Sequence, residues 1–246
     1  MHPTAHQALV TGGTEAIGLA VVRRLAREGH AVTAIYLAED EGRQEARLEV
    51  AEAHPDVVFE RVDLTKSAHV VDLFDRLAEM GRSPELLVNA AGLEAQPPSA
   101  FLSATGLDAA LNLSLRPTFL TCQQALKAMA QRRFGRIVNF ASPSARQGGE
   151  GEAVDAAAKA GVLGLTRALA REVGPLGITV NAVCAGAIQT ERTTQACGEQ
   201  LDALVRRTPL RRAGTADEVA GMVNMLCEEG AGYITGQCLS IDGGLT

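Results

Sequence analysis

The chain has 246 residues, 46% of them apolar and 21% charged, which suffices to bury a core without disulfide or metal staples. Its net charge of −6 argues against a nucleic-acid partner, which needs a basic surface. No apolar run reaches the roughly 18 residues of a membrane helix, and MHPTAHQALVTGG lacks the basic flank and long apolar stretch of a signal peptide, so a cytoplasmic location is expected.

Short unbroken apolar runs alternate with longer segments of helical period. Strands are expected at Gln7–Val10, Ala31–Leu37, Val57–Val62, Leu86–Asn89, Arg136–Ala141, Ile178–Val183 and Cys238–Ile241. Unbroken apolar strands fit a parallel sheet covered on both faces. Helices are expected at Ile17–Glu28, Gly42–Ala53, Ser67–Met80, Gly106–Arg133, Ala153–Val173 and Asp217–Glu228, where apolar positions recur every three or four residues. This alternation predicts an α/β fold, a doubly wound parallel sheet of about seven strands with right-handed crossovers. No linker divides the chain, so residues 1–246 are read as a single domain. The one long irregular stretch, Ala185 to about Arg212, follows a strand end, where ligands sit in such sheets. A mobile lid and an ordinary loop with a short helix both fit it. Five cysteines (Cys122, Cys184, Cys197, Cys227 and Cys238) lie far apart, with no metal-ligand spacing, and are expected as reduced, mostly buried thiols. No metal site is expected.

The first strand runs into a glycine-rich turn, Thr11-Gly12-Gly13-Thr14-Glu15-Ala16-Ile17-Gly18. Such a turn lets backbone N–H groups approach a pyrophosphate at a helix N-terminus. Further motifs follow in order: Asn89-Ala90-Ala91-Gly92 after the fourth strand, Asn112 in a helix, and a strand from Gly135 ending in Ser142. Then come Lys159 in Ala156–Val162, the strand Ile178–Val183, and Ile241-Asp242-Gly243-Gly244 near the end. The set resembles the short-chain dehydrogenase/reductase family, with its Rossmann-type sheet, over nearly the whole chain. Within that family it most resembles the bacterial 3-oxoacyl-acyl-carrier-protein reductases.

The resemblance implies hydride transfer between a nicotinamide nucleotide and a carbonyl or alcohol carbon. In the family a tyrosine donates the proton, and a lysine four residues later lowers its pKa and holds the nicotinamide ribose. A serine thirteen residues before the tyrosine polarises the carbonyl, and the helix asparagine holds a water in the proton relay. Carried over, the catalytic set is Ser142, Asn112 and Lys159, with Asp155 in the tyrosine position. Both offsets, from Ser142 and from Lys159, reach Asp155. The implied nucleotide contacts are Gly12, Thr14, Glu15, Ala16, Ile17, Gly18, Asp63, Leu64, Asn89, Ala90, Gly92, Lys159, Ile188 and Thr190. Each retained residue also has a plain structural reading: Ser142 as a strand-end hydroxyl, Lys159 as an ion-pair partner, Asn112 as an interhelical backbone contact.

Asp155 changes the chemistry. A phenol of pKa about 10 keeps its proton at pH 7, whereas an aspartate starts near about 3.9. With Lys159 one turn away, Asp155 is expected as an anion paired with that lysine. It then has no proton to give, and it places negative charge where reduction develops negative charge. A bridging water, or a dry pocket that keeps Asp155 protonated, are the remaining routes. The other tyrosines, Tyr36 and Tyr233, lie elsewhere, and no histidine follows His69.

The turn departs too. Ala16 stands where the family has its second glycine, and Glu15 where NADPH users often carry arginine. Glu39, Asp40 and Glu41 follow the second strand with no base beside them, so NAD is slightly favoured over NADP. Ala185-Gly186 replaces a usual proline-glycine. Three readings follow: a slow ketoreductase acting on acyl-thioester or other small-molecule substrates; a non-catalytic subunit beside an active paralogue; and nucleotide or acyl-carrier binding without turnover. The family's usual homotetramer, through Gly106–Arg133, Ala153–Val173 and the C-terminal segment, is expected, since Ala156, Ala157, Ala158, Ala160, Gly161 and Gly164 permit close packing. Substrate contacts are expected from Leu93–Leu102, Ala145–Ala153 and Ala187–Thr208.

Overall fold

A computed structural model describes residues 5–37, 41–92, 103–190 and 198–246. Seven parallel strands form one sheet: β1 (Gln7–Thr11), β2 (Ala31–Tyr36), β3 (Val57–Arg61), β4 (Leu86–Asn89), β5 (Gly135–Ala141), β6 (Ile178–Ala185) and β9 (Cys238–Ile241). Their spatial order is β3-β2-β1-β4-β5-β6-β9. All seven expected strands are present. The order reverses between β1 and β4, and beyond the carboxyl ends of strands at such a reversal lies the crevice where doubly wound sheets bind ligands.

Helices cover both faces: α1 (Ala16–Arg27), α2 (Glu41–Ala53), α3 (Ser67–Glu79), α4 (Ala104–Leu113), α5 (Leu115–Arg132), the short α6 (Ser144–Gln147), α7 (Ala153–Val173), α8 (Gly198–Arg207) and α9 (Ala216–Cys227). Adjacent β1 side chains divide between two cores. Val10 packs with Val21, Leu25 and Val223 from α1 and α9. Leu9 packs with Leu73, Ala125 and Val173 from α3, α5 and α7. This period-two division is why the strand sequences show no polar alternation.

One expectation is corrected, and the stretch after β6 gains detail. The single helix Gly106–Arg133 is two helices, broken at Ser114 (φ −120°, ψ −66°), which caps the first and begins the second. Pro117 accounts for the restart: it lacks an N–H, which costs little in a helix's first turn and much in its interior. The irregular stretch after β6 holds α8 and a two-residue parallel pairing of β7 (Ile188–Gln189) with β8 (Gly214–Thr215). Residues 191–197 of that stretch, and all of Leu93–Leu102, lie outside the described residues. Among the described residues no helix is long and apolar enough to cross a membrane, and no group of side chains could hold a metal ion.

Candidate active site

The glycine turn closes β1 onto α1 at the reversal point. Gly12 has φ +66°, and a Cβ there would lie 2.9 Å from the Ala91 backbone nitrogen. A Cβ on Gly18 would fall on the Gly12 carbonyl oxygen. Both glycines are therefore required by backbone approach. The Ala91 N–H donates to Thr11 Oγ1 at 3.2 Å, fastening the turn to the end of β4. Thr14 is buried, Ile17 packs on the α1 face of the core, and Ala16 is exposed at the first position of α1. Glu15 is the N-cap of α1, but its side chain accepts no hydrogen bond from the helix N–H groups. The first-turn N–H groups of α1 thus lack a side-chain cap, the arrangement that suits a pyrophosphate.

Glu15 faces a partner that sequence reading misses. Arg43 Nη1 of α2 donates to Glu15 Oε1 at 2.6 Å. Arg47 lies over the Tyr36 ring at 4.2 Å, and Arg61 Nε donates to the Leu37 carbonyl at 3.1 Å. The end of β2 is thus flanked by three guanidinium groups, although residues 39–41 of the sequence are all acids. Two of them arrive from the next helix and one from β3, so no local motif announces them. Glu39 and Asp40 lie outside the described residues.

The other nucleotide candidates divide. Asp63 accepts from Thr65 Oγ1 and the Thr65 N–H at 2.6 and 3.0 Å, and the hydroxyl bond holds its carboxyl below the usual range. It lines a cleft with Leu37, Arg61, His69, Asp72 and Arg76. Leu64 and Ile188 are core residues, and Ala90 packs against the core. Asn89 is buried in a network: its Nδ2 donates to Asn139 Oδ1 at 2.9 Å, its Oδ1 accepts from Thr121 Oγ1 at 2.7 Å, and Asn139 Nδ2 donates to Thr166 Oγ1 at 3.0 Å. The structure thus uses the Asn89 side chain to tie β4 and β5 to α5 and α7. Thr190 is half-buried just before the undescribed residues. A Cβ on Gly92 would stand 4.0 Å from Lys159 Nζ, which brings the end of β4 to the catalytic corner.

At that corner Ser142 follows the end of β5, and Ser144 opens α6. Asp155 and Lys159 lie one turn apart on α7. Ser144 Oγ stands 2.9 Å from Ser142 Oγ and 3.1 Å from Asp155 Oδ2, and the Ser144 N–H reaches Ser142 Oγ at 3.3 Å. A hydroxyl has one proton. With Asp155 as carboxylate, Ser144 donates to it and accepts from Ser142, giving a chain Ser142→Ser144→Asp155. Lys159 is 7% exposed, and its Nζ donates to the Phe140 carbonyl at 3.2 Å. Burial pushes its ammonium below the usual lysine range, and the nearby Asp155 charge works the other way.

The expected Asp155–Lys159 ion pair is corrected here. Among the described residues the lysine's acceptor is the Phe140 carbonyl, and the carboxylate's donor is Ser144. Asp155 influences Lys159 through space only. Asn112 lies nearby on α4. It lines a cleft with Thr65, Lys66, Ala109 and Arg116, and no hydrogen bond joins it to Ser142, Asp155 or Lys159 among the described residues. The α4–α7 contact beside it is apolar, through Ala110 and Ala158.

Residues 12–246 match the family model described as enoyl-(acyl carrier protein) reductase. The chain is 35% identical over 239 residues to a 3-oxoacyl-[acyl-carrier-protein] reductase of Mycobacterium avium, covering 96% of this chain and 88% of that one. A solved short-chain dehydrogenase/reductase structure from Serratia marcescens matches with TM-score 0.89 and 34% identity, over 99% of each chain. The chain belongs to the short-chain dehydrogenase/reductase family. A second curated relative, the 3-oxoacyl-[acyl-carrier-protein] reductase of Aquifex aeolicus, is 32% identical over 238 residues, or 96% of each chain. The expected family and fold are thereby shown, and the fold is the Rossmann-type α/β sheet described above.

Proposed function

We propose that this chain is an NAD(P)-dependent oxidoreductase of the 3-oxoacyl-thioester reductase type in which ordinary reduction is slow. The observation that carries this reading is the catalytic corner. Ser142 and Lys159 remain, while the position of the proton donor holds a carboxylate bonded to Ser144. A nicotinamide nucleotide, when bound, supplies or accepts the hydride. The open N–H groups at the start of α1 would hold its pyrophosphate. Lys159, whose one described acceptor is the Phe140 carbonyl, would offer its remaining protons to a ribose.

Reduction also needs a proton delivered to the forming alkoxide. Ser142 can donate a hydrogen bond to a carbonyl oxygen only by turning away from Ser144, and Asp155 as an anion has nothing to deliver. Loss of a positioned general acid usually costs about 10²–10⁴ in rate, roughly 3–5 kcal/mol. Either NAD or NADP is assigned as nucleotide. The Arg43–Glu15 pair offsets one of the acids that, in the sequence alone, disfavour a 2′-phosphate, which weakens the charge reason for preferring NAD. A homotetramer and a cytoplasmic location complete the proposal.

The second reading, a non-catalytic subunit beside an active paralogue, is favoured by the same missing proton. Steady-state assays with NADH and NADPH on acetoacetyl thioesters separate the two. The native chain is expected to turn over slowly, and Asp155→Tyr to gain about 10²–10⁴ in rate. Blank-level rates in both would sink the oxidoreductase reading and leave the subunit or the binding-only protein.

A further inference from the structure

Behind Ser142 the structure assembles a feature that the hydride chemistry does not use. β6 and β9 pair in parallel, with Ala182 opposite Cys238 and Cys184 opposite Ser240. Residues 182 and 184 point to one face of the sheet, and so does Cys238 opposite Ala182. The two cysteines are thus diagonal neighbours, and their sulfurs approach to 3.0 Å. They sit in a small apolar cluster with Ala141, Ala145, Leu163 and Ala182. Cys184 is fully buried, and Cys238 is half-buried. Cys184 Sγ also lies 3.6 Å from the Ser142 carbonyl oxygen.

We propose that Cys184 and Cys238 are a redox modification site, forming a reversible disulfide when a small peroxide reaches Cys238. The inference rests on the thiol geometry and stands whether or not the chain turns over a thioester. The sulfurs need to close by only about 1 Å to reach the S–S bond length of about 2.05 Å. Cys238 supplies the nucleophile. It is the less buried member, and the hydrogen bond from Cys184 holds its thiol below the usual cysteine range, helped by Arg146 and Arg167. The Cys184 thiol is pushed up by that same bond and by burial, so it keeps its proton at the outset.

The steps balance. The Cys238 thiolate attacks one peroxide oxygen, the O–O bond breaks, and hydroxide leaves, giving a sulfenic acid. Cys184 sulfur then attacks that sulfenic sulfur, its proton leaves with the departing hydroxyl as water, and the S–S bond forms. Two electrons pass from the thiols to the peroxide. Selectivity is built in, because Cys122 and Cys227 are fully buried and pushed up to about 12 by desolvation.

The test uses the full chain in a Cys197→Ser background, because residue 197 lies outside the described residues. Native protein is treated with hydrogen peroxide, alkylated, and mapped by tandem mass spectrometry. The expected result is the loss of two hydrogens, a Cys184–Cys238 cross-linked peptide, and full reversal by dithiothreitol. Cys184→Ser is expected to shift the product to oxygen addition on Cys238, and Cys238→Ser to leave Cys184 reduced. Three results overturn the proposal: Cys238 of the parent protein gaining oxygen without the cross-link, a cross-link joining two chains on a non-reducing gel, or no thiol consumed by peroxide.

Discussion

The nucleotide turn and the candidate catalytic corner each hold a residue other than the one the family resemblance implies, and the two sites are built differently around it. At the turn, Ala16 replaces a glycine at an exposed helix start, and the backbone geometry is intact because Gly12 and Gly18 carry the close approaches. At the corner, Asp155 stands where the family resemblance puts a phenol, and its carboxyl accepts from Ser144 while Lys159 donates to the Phe140 carbonyl. A methyl added on the outside of a backbone cradle is a local steric matter. A charge added to a site that must stabilise developing charge alters what the site can do.

Four substitutions sharpen that contrast. The largest structural effect is expected at Gly18→Ala, whose methyl would fall on the Gly12 carbonyl oxygen, an atom that cannot move without the turn. Overpacking of this kind typically costs about 1–3 kcal/mol, and a backbone neighbour puts it at the upper end. An unchanged urea midpoint would break the claim that backbone contact fixes the turn.

Asp155→Asn tests the corner by proton titration. Burial lowers Lys159 and Asp155 opposes that lowering, so removing the charge is expected to move Lys159 to a still lower pKa, followed by NMR of the lysine side chain. The sign for stability follows. An unfolded lysine holds its proton up to about 10.4, so the unfolded chain binds more protons between the folded value and that limit. Stability therefore rises with pH across this window and is lost as pH falls toward the folded value. In the variant the window opens at lower pH. An upward move of Lys159 would show that Asp155 does not act on it.

Ala16→Gly should leave the fold alone and tighten nucleotide binding by less than tenfold, under about 1.4 kcal/mol, read by titration calorimetry with NAD and NADP. A larger gain would make the exposed methyl a serious obstruction. The smallest effect is expected at Arg43→Ala. Its ion pair with Glu15 joins side chains 36% and 46% exposed, and such surface pairs contribute about 0.2–1 kcal/mol. Its sharper readout is the affinity for NADP, which should weaken relative to NAD once Glu15 is uncompensated.

The layers of this molecule were legible where one local rule decides them. Unbroken runs such as Leu86–Asn89 between turn signals read as strands buried on both faces, and Ala153–Val173 has helical period from end to end. The break at Ser114 was legible in principle, since Pro117 marks a first turn, but the apolar period continues across it and hides it. The site was legible as a set of residues and not as a set of bonds. That Ser144 reaches Asp155 depends on the turn of chain between β5 and α6, which no spacing encodes. That Lys159 spends a proton on a backbone carbonyl leaves no trace in residue types. Arg43 reaches Glu15 only because α2 packs where it does.

The reversal between β1 and β4 also governs how the molecule comes together in time. Ala8 pairs with Leu86 and Thr11 with Asn89, so joining these neighbours closes a loop that holds β2, β3 and the helices between them. Pairings of such long sequence separation are slow to form, because the entropy of closure is lost before the contacts repay it. The strip of sheet that creates the crevice is therefore expected among the later parts of the domain to assemble. A fault in the Gly12–Gly18 turn, or in the Thr11–Ala91 clasp beside it, should thus appear in the refolding rate as well as in the final stability.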